Sequence, residues 1–248
     1  MLILKPHIFN HCKEIIFGFS PRFSDGHNND LGFNLSYSAG DEKRTVDKNR
    51  DLFFDAIGIK TENVAYQHQV HENEVKTVSA GGFCGDSDAL ITTKKGLGLA
   101  VSVADCTPVF IFDPVNEVIA AVHSGWRGTE KRITEKAIKK LIDEYNSKPE
   151  ELLAYIGPSI SQVNYEVGRE VAEKFDKRYS MRNVDKYLLD VSHINYDMLI
   201  DAGIKKNNIQ QSGLCSFEMK ELFHSYRRDG KLSGRSLGVI AMRDNVRI

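Results

Sequence analysis

Three short segments carry side chains whose chemistry goes beyond packing. They are Gln67-His68-Gln69-Val70-His71, Val103-Ala104-Asp105-Cys106-Thr107-Pro108, and Ala121-Val122-His123-Ser124-Gly125-Trp126-Arg127-Gly128. One thiolate, Cys106, and two imidazoles, His71 and His123, form a donor set that suits zinc, which accepts mixed sulfur and nitrogen ligands. Three protein donors leave a fourth position for water or substrate, the catalytic pattern, whereas a structural zinc is closed by four. The same residues equally serve a metal-free site with Cys106 as nucleophile and a histidine as its base. A third reading is a structural zinc closed by Cys215. Against all three stands the plain alternative that a cysteine at a strand end only fills core. Spacing alone does not choose, because no HExxH or CxxC anchors the site.

The elements around these residues explain how distant positions can converge. Ala89-Leu90-Ile91, Leu99 to Val103, Val109 to Phe112 and Val118 to Val122 are short apolar runs bounded by Gly, Asp and Pro, which read as buried strands. Asp113-Pro114-Val115-Asn116 joins the last two as a turn. Cys106 and His123 therefore fall where strands give way to turns, and neighbouring strands bring such junctions together. Gly40-Asp41 opens a helix, with Asp41 as its cap and Val46, Leu52, Phe53, Ala56 and Ile57 as its apolar side. Ile133, Ala137, Ile138, Leu141, Ile142 and Tyr145 recur at helical spacing. Further helices are predicted over Val167 to Phe175 and His193 to Ala202, the latter ended by Gly203, and a closing strand over Ser236 to Met242. Strands and helices mix without strict βαβ alternation, which favours a mixed sheet.

The whole chain narrows the function classes. Its 248 residues suit one domain, and 33 Lys plus Arg against 34 Asp plus Glu give a net charge of −1. That balance argues against binding nucleic acid or an anionic membrane through bulk charge. No apolar run approaches the roughly 18 residues of a membrane span. The N-terminal Met1 to His7 lacks the pattern of a signal peptide. Cys12, Cys84, Cys106 and Cys215 are scattered, so the expectation is a reducing cytoplasm without a disulfide framework.

An ordered set of blocks then resembles a known family. Gln69-Val70-His71, Asp88 to Thr92, Ala104-Asp105-Cys106-Thr107-Pro108-Val109 and His123 to Thr129 look like signature blocks of the YfiH/laccase-domain family. So do Ile156 to Ile160, Tyr165 to Gly168, Cys215-Ser216, Ser225 to Gly230, Gly234-Arg235 and Leu237-Gly238. The resemblance implies an α+β fold, a four-layer α/β/β/α sandwich with a mixed β core, as one domain over residues 1–248. It implies metal ligands at His71, Cys106 and His123, with Zn2+ as cofactor and Cu2+ as the alternative. The family, first labelled polyphenol oxidase, is described as purine nucleoside phosphorylases that also deaminate adenosine and cleave methylthioadenosine. Two departures stand out: Ser20 to Gly26 differs from the family's N-terminal block, and Glu72 replaces the Gly that usually follows the first ligand.

The implied partners are a purine nucleoside (adenosine, inosine, guanosine or methylthioadenosine) and phosphate, taken by a monomer or homodimer. Asn34 and Arg50 are implied near the pocket, and Arg127, Arg227 and Arg228 are further candidates, since a guanidinium matches phosphate. For deamination an open zinc activates water toward C6 of adenine. The zinc base deaminases place a Glu beside the metal in an HxE motif. This chain has none, which leaves Asp105, Asp88 or Glu72 as the proton-transfer partner. Copper oxidase chemistry of the laccase type needs a trinuclear cluster rich in HxH pairs; the eight histidines here form no such pair.

Overall fold

A computed structural model describes residues 1–24 and 31–244. Two of the residues in the divergent N-terminal block, Asp25 and Gly26, lie outside the described residues. Numbered in chain order, the first sheet runs β1 (Ile15–Phe19), β14 (Ser236–Met242), β6 (Gly98–Val103), β2 (Val64–His68) and β4 (Gly82–Asp86). The second runs β13 (Ile209–Gln211), β9 (Leu153–Ile156), β7 (Thr107–Asp113), β8 (Val118–Ser124), β5 (Ala89–Thr92) and β3 (Val75–Thr77). A small third sheet joins β10 (Glu166–Val167), β12 (Lys186–Leu189) and β11 (Ser180–Asn183). Both large sheets are mixed: β2 pairs in parallel with β4 and β6, and β3 with β5, while β7 and β8 are antiparallel.

Burial resolves four layers. Phe17, Leu99, Val101 and Ile240 of the first sheet meet Leu90, Phe110, Ile119 and Tyr155 of the second in one apolar cluster between them. Gly238 lets the sheets approach closely, since a Cβ there would collide with the Phe110 ring. The outer face of the first sheet is covered by Phe53, Phe54 and Ile57 of α1 (Lys43–Ile57). The outer face of the second is covered by Ile133, Ala137, Ile138 and Leu141 of α3 (Ile133–Tyr145), and by Leu199 of α5 (Val191–Asp201). This is the α/β/β/α sandwich of mixed sheets. The remaining helices, α2 (Trp126–Glu130), α4 (Arg169–Ala172) and α6 (Tyr226–Asp229), are single turns. Among the described residues, no helix is long and apolar enough to cross a membrane.

The strands predicted around the chemical residues appear as β5, β6, β7, β8 and β14. Asp113 makes the β7–β8 turn by accepting from the N–H groups of Val115 and Asn116 at 2.9 and 3.0 Å. The helices needed more correction. In α1, Leu52 and Ala56 face out and Asn49, Arg50 and Phe54 go in. Glu42 rather than Asp41 is its cap residue, and Asp41 accepts from the Glu42 N–H at 2.9 Å. The helix expected over Val167 to Phe175 shrinks to α4, because Val167 is taken by strand β10, which pairs with β12.

Candidate metal centre

His71 and Cys106 each lie where the chain crosses between the sheets. His71 follows β2 of the first sheet and precedes β3 of the second; Cys106 sits between β6 and β7 in the same way. His123 comes from β8 itself, in register with Pro108 of β7. The two crossings turn sharply, with φ of +60° at His71 and +88° at Asp105, the left-handed region that Asp and His tolerate better than most side chains. The result brings one donor atom from each of His71, Cys106 and His123 within 4.8 Å of the others, the one such three-residue cluster of His, Cys, Asp or Glu among the described residues. Gly125 keeps the space open: a Cβ there would stand 2.9 Å from Cys106 Sγ and 3.2 Å from the His71 ring.

Electrostatics prepare these donors for a cation. Asp88 is fully buried, and one of its oxygens accepts from His123 Nδ1 at 2.8 Å and the His71 backbone N–H at 3.1 Å. The other accepts from the Glu72 N–H at 2.7 Å. Fixing Nδ1 this way leaves Nε2 of His123 for a metal, the usual carboxylate–histidine support of a ligating imidazole. Burial alone would raise the Cys106 thiol, yet the imidazoles of His123 and His71 bring it down to about 6. Burial alone would lower His123, yet Cys106 and Asp88 hold it up at about 9. Cys106 and His123 thus form a thiolate–imidazolium pair, and a bound zinc or copper would displace the His123 proton to reach the thiolate and neutral imidazoles it requires. His71 is exposed while His123 is buried, so the cluster opens to solvent on one side. These residues fit a three-ligand metal site.

Cys215 does not close that site. Its sulfur is buried and accepts from the Ser161 N–H at 3.3 Å, outside the donor cluster. Asp105 is adjacent but committed: it accepts from the Ser216 hydroxyl at 2.7 Å and the Arg227 N–H at 2.6 Å. Its role is to tie α6 to the Cys106 loop. Glu72 pairs at the surface with Lys131, and His68 with Asp86 at 2.9 Å, so neither joins the cluster.

The candidate substrate residues divide sharply. Asn34 is fully buried, donating to the Ser36 carbonyl at 3.0 Å and accepting from the Arg235 N–H at 3.0 Å. Arg50 is buried, donates to the Leu35 carbonyl at 2.8 Å, and lies between the rings of Tyr37 and Tyr66 at 4.2 and 4.3 Å. Both shape loops from within. Arg228 donates to the carbonyls of Ser216, Phe217 and Phe223, which consumes it structurally. Arg127 and Arg227 are exposed. Arg127 lies over the Trp126 ring at 4.3 Å, and Arg227 donates to the Glu166 carbonyl at 2.8 Å and lies 5.1 Å from the Tyr165 ring. Trp126 itself packs against the apolar cluster that includes Val167 and Leu189, so it holds the loop. Arg235, in the Gly234-Arg235 pair directly before the closing strand, is half-buried and lies 5.4 Å from the Tyr226 ring.

Comparison with known proteins places this geometry. Residues 19–243 match the family described as multi-copper polyphenol oxidoreductase laccase. The purine nucleoside phosphorylase YlmD of Bacillus subtilis (strain 168) is 30% identical, over 94% of this chain and 90% of that one. A purine nucleoside phosphorylase of Deinococcus radiodurans is 35% identical, over 85% and 82%. The crystal structure of a Bacillus licheniformis hypothetical protein, YfiH, superposes with a TM-score of 0.90 at 25% identity, covering 94% of each chain.

Proposed function

The chain belongs to the multi-copper polyphenol oxidoreductase laccase family, and from that premise we propose that it is a zinc-dependent purine nucleoside phosphorylase that also deaminates adenosine. The observation that carries the reading is the solvent-open set of three donors, His71, Cys106 and His123, with Asp88 fixing the tautomer of His123. Relatives sharing 30% and 35% of their residues with this chain are named purine nucleoside phosphorylases, which supports the substrate class.

When bound, zinc supplies a Lewis acid to the site. The protein's own residues do the rest. Asp88 holds His123 and the His71–Glu72 backbone in place, and Asp105 holds the α6 wall beside Cys106. The exposed guanidinium groups of Arg127 and Arg227 offer positive charge to phosphate and nucleoside. In phosphorolysis a phosphate oxygen bonds to C1′ of the ribose as the bond from C1′ to the purine nitrogen breaks. The bonding pair leaves with the purine, which takes up a proton. In deamination water adds at C6 of adenine and ammonia departs, giving inosine. Adenosine, inosine, guanosine and methylthioadenosine are the proposed substrates.

The copper oxidase reading is weaker on this structure. A laccase requires a trinuclear histidine cluster in addition to a His₂Cys copper, and the described residues assemble a single cluster with two histidines. The deciding experiment incubates metal-replete enzyme with adenosine, with and without phosphate. Adenine and ribose 1-phosphate, formed only with phosphate, mark phosphorolysis; inosine marks deamination. If neither forms, and Cys106→Ala behaves like the parent, the nucleoside reading fails. Phenol oxidation by stoichiometrically copper-loaded protein, absent with zinc, would replace it with the oxidase.

A further inference from the structure

Arg235 lies one residue before β14, and the strand register fixes its neighbourhood. Ser236 pairs with Val103 in the antiparallel ladder of β14 and β6. Arg235 is thereby set across from Ala104, next to Asp105 and Cys106. Its backbone is clamped on both sides: the N–H donates to Asn34 Oδ1 at 3.0 Å, and the carbonyl accepts from the Leu35 N–H at 3.2 Å. Asn34 thus acts on the site through Arg235.

The guanidinium is half-buried and only partly used. Nη1 spends its hydrogens on the carbonyls of Ser233 and Gly234, at 2.5 and 2.9 Å. The face of the group lies 5.4 Å from the Tyr226 ring. Among the described residues, Nε and Nη2 have no acceptor, and no carboxylate pairs with the group. Burial weakens its hold on the proton, against the pull of Cys106 and Asp105. Arg50 and Arg228 are also withdrawn from solvent, but Arg50 Nε goes to the Leu35 carbonyl, and Arg228 Nε and Nη2 go to the Asp229 carboxylate. Arg235 alone of the three keeps the Nε–Nη2 edge open, and that edge is the fork that grips two oxygens of an oxyanion. The guanidinium has no direct carboxylate partner, so an anion held on its open edge gains a charge-assisted, bidentate contact.

Arg235 lines a cleft of about 770 Å³ together with Tyr226, Leu232, Ser38 and Asp41. That is within the roughly 300–1,000 Å³ of small-molecule sites. The Asp41 oxygens do not reach Arg235, being engaged by the Glu42 N–H and Asn34 Nδ2.

We propose that Arg235 seats the phosphate co-substrate, gripping it side-on at the end of this cleft nearest Cys106. The assignment rests on the phosphorylase reading. Arg235 moves no proton: it fixes phosphate so that one free oxygen attacks C1′ while the C1′–N bond breaks toward the purine. The same fork would suit the 5′-phosphate of a nucleotide, so the test separates the two sources.

Metal-replete wild type, Arg235→Gln and Arg235→Lys are compared by phosphorus NMR titration with inorganic phosphate and by steady-state cleavage of adenosine. The seat predicts that Arg235→Gln raises KM for phosphate and weakens phosphate binding by about tenfold or more, equivalent to about 1.4 kcal/mol. KM for adenosine, metal content and inosine formation stay as in wild type, and Arg235→Lys recovers part of the loss. Unchanged phosphate binding in Arg235→Gln, or an equal rise in both KM values, overturns the proposal. If wild type catalyses no phosphorolysis yet loses phosphate binding on substitution, the seat stands and the phosphorylase reading falls. If adenosine 5′-monophosphate binds in an Arg235-dependent way and inorganic phosphate does not, the seat belongs to a nucleotide and the proposal is overturned. Should Arg235→Gln fail to fold, protection of wild-type Arg235 from phenylglyoxal by inorganic phosphate decides: protection supports the seat, and its absence overturns it.

Discussion

Asp88 and Asp105 are both buried carboxylates, and each touches a segment that carries a candidate ligand. Asp88 gives its oxygens to His123 Nδ1 and to the N–H groups of His71 and Glu72, so it holds two members of the donor cluster and the residue that follows one of them. Asp105 is the immediate neighbour of Cys106, yet it holds the Ser216 hydroxyl and the Arg227 N–H. Its carbonyl also accepts from the Ile160 N–H at 3.0 Å. One carboxylate supports the donor cluster; the other fastens α6 to the Cys106 loop. Proximity in sequence to a ligand therefore says little about which job a carboxylate performs, and the hydrogen-bond partners decide it.

Substitutions can break that division. Asp88→Asn should weaken zinc binding by about 10- to 100-fold, the usual cost of losing a carboxylate behind a ligating histidine, read by competition against a chromophoric chelator. Activity would return at saturating zinc. Asp105→Asn should leave zinc affinity at the wild-type level and lower kcat/KM for adenosine phosphorolysis by about tenfold, through one weakened hydrogen bond worth about 1–2 kcal/mol. Asn tolerates the left-handed backbone at this position. A parallel fall in zinc affinity would show that the two carboxylates share one task.

Acid probes the Asp105 side separately. His224 lies just before the turn that Asp105 fastens, and burial, with Arg22 and Arg235 nearby, holds it neutral down to about pH 3 against an ordinary value of 6.5. Below pH 6.5 the unfolded chain takes up this proton and the folded chain does not. Its stabilising contribution is therefore complete above pH 6.5 and is lost as pH falls through the window down to about 3. The slope is up to about 1.4 kcal/mol per pH unit. Urea denaturation between pH 7 and pH 5 should show it, and His224→Gln should flatten it. As a control on all these changes, Leu52→Gln should shift stability by less than about 0.5 kcal/mol, since Leu52 is exposed on α1.

Much of the scaffold was legible because buried strands write themselves as short apolar runs. β5, β8 and β14 begin at Ala89, Val118 and Ser236, and β6 and β7 contain the runs that start at Leu99 and Val109. The donor cluster was legible as residue types at strand junctions, made specific by the ordered family blocks. What could not be read was how polar side chains are spent. Nothing local in Asn49-Arg50 says that both go inward, to the carbonyls of Asn34 and Leu35. Helix periodicity placed Leu52 inside, but the layer is set by Phe53, Phe54 and Ile57, which rotate Leu52 outward. Arg235 stood in the Gly234-Arg235 block, but its place across from Ala104 emerged only through strand register, a relation between positions more than a hundred residues apart.

The placement of His71 and Cys106 at two passages between the sheets has a further consequence. An ion held by them and by His123 would span the seam between the layers, so separating the sheets would mean releasing it. Ligand that binds only the folded chain stabilises it by mass action, about 2.7 kcal/mol at one hundred times Kd. The melting temperature should then climb with free zinc concentration, and Cys106→Ala should abolish that climb. The site would act as a clasp on the sandwich, and a cell's metal supply would set how firmly the protein is closed.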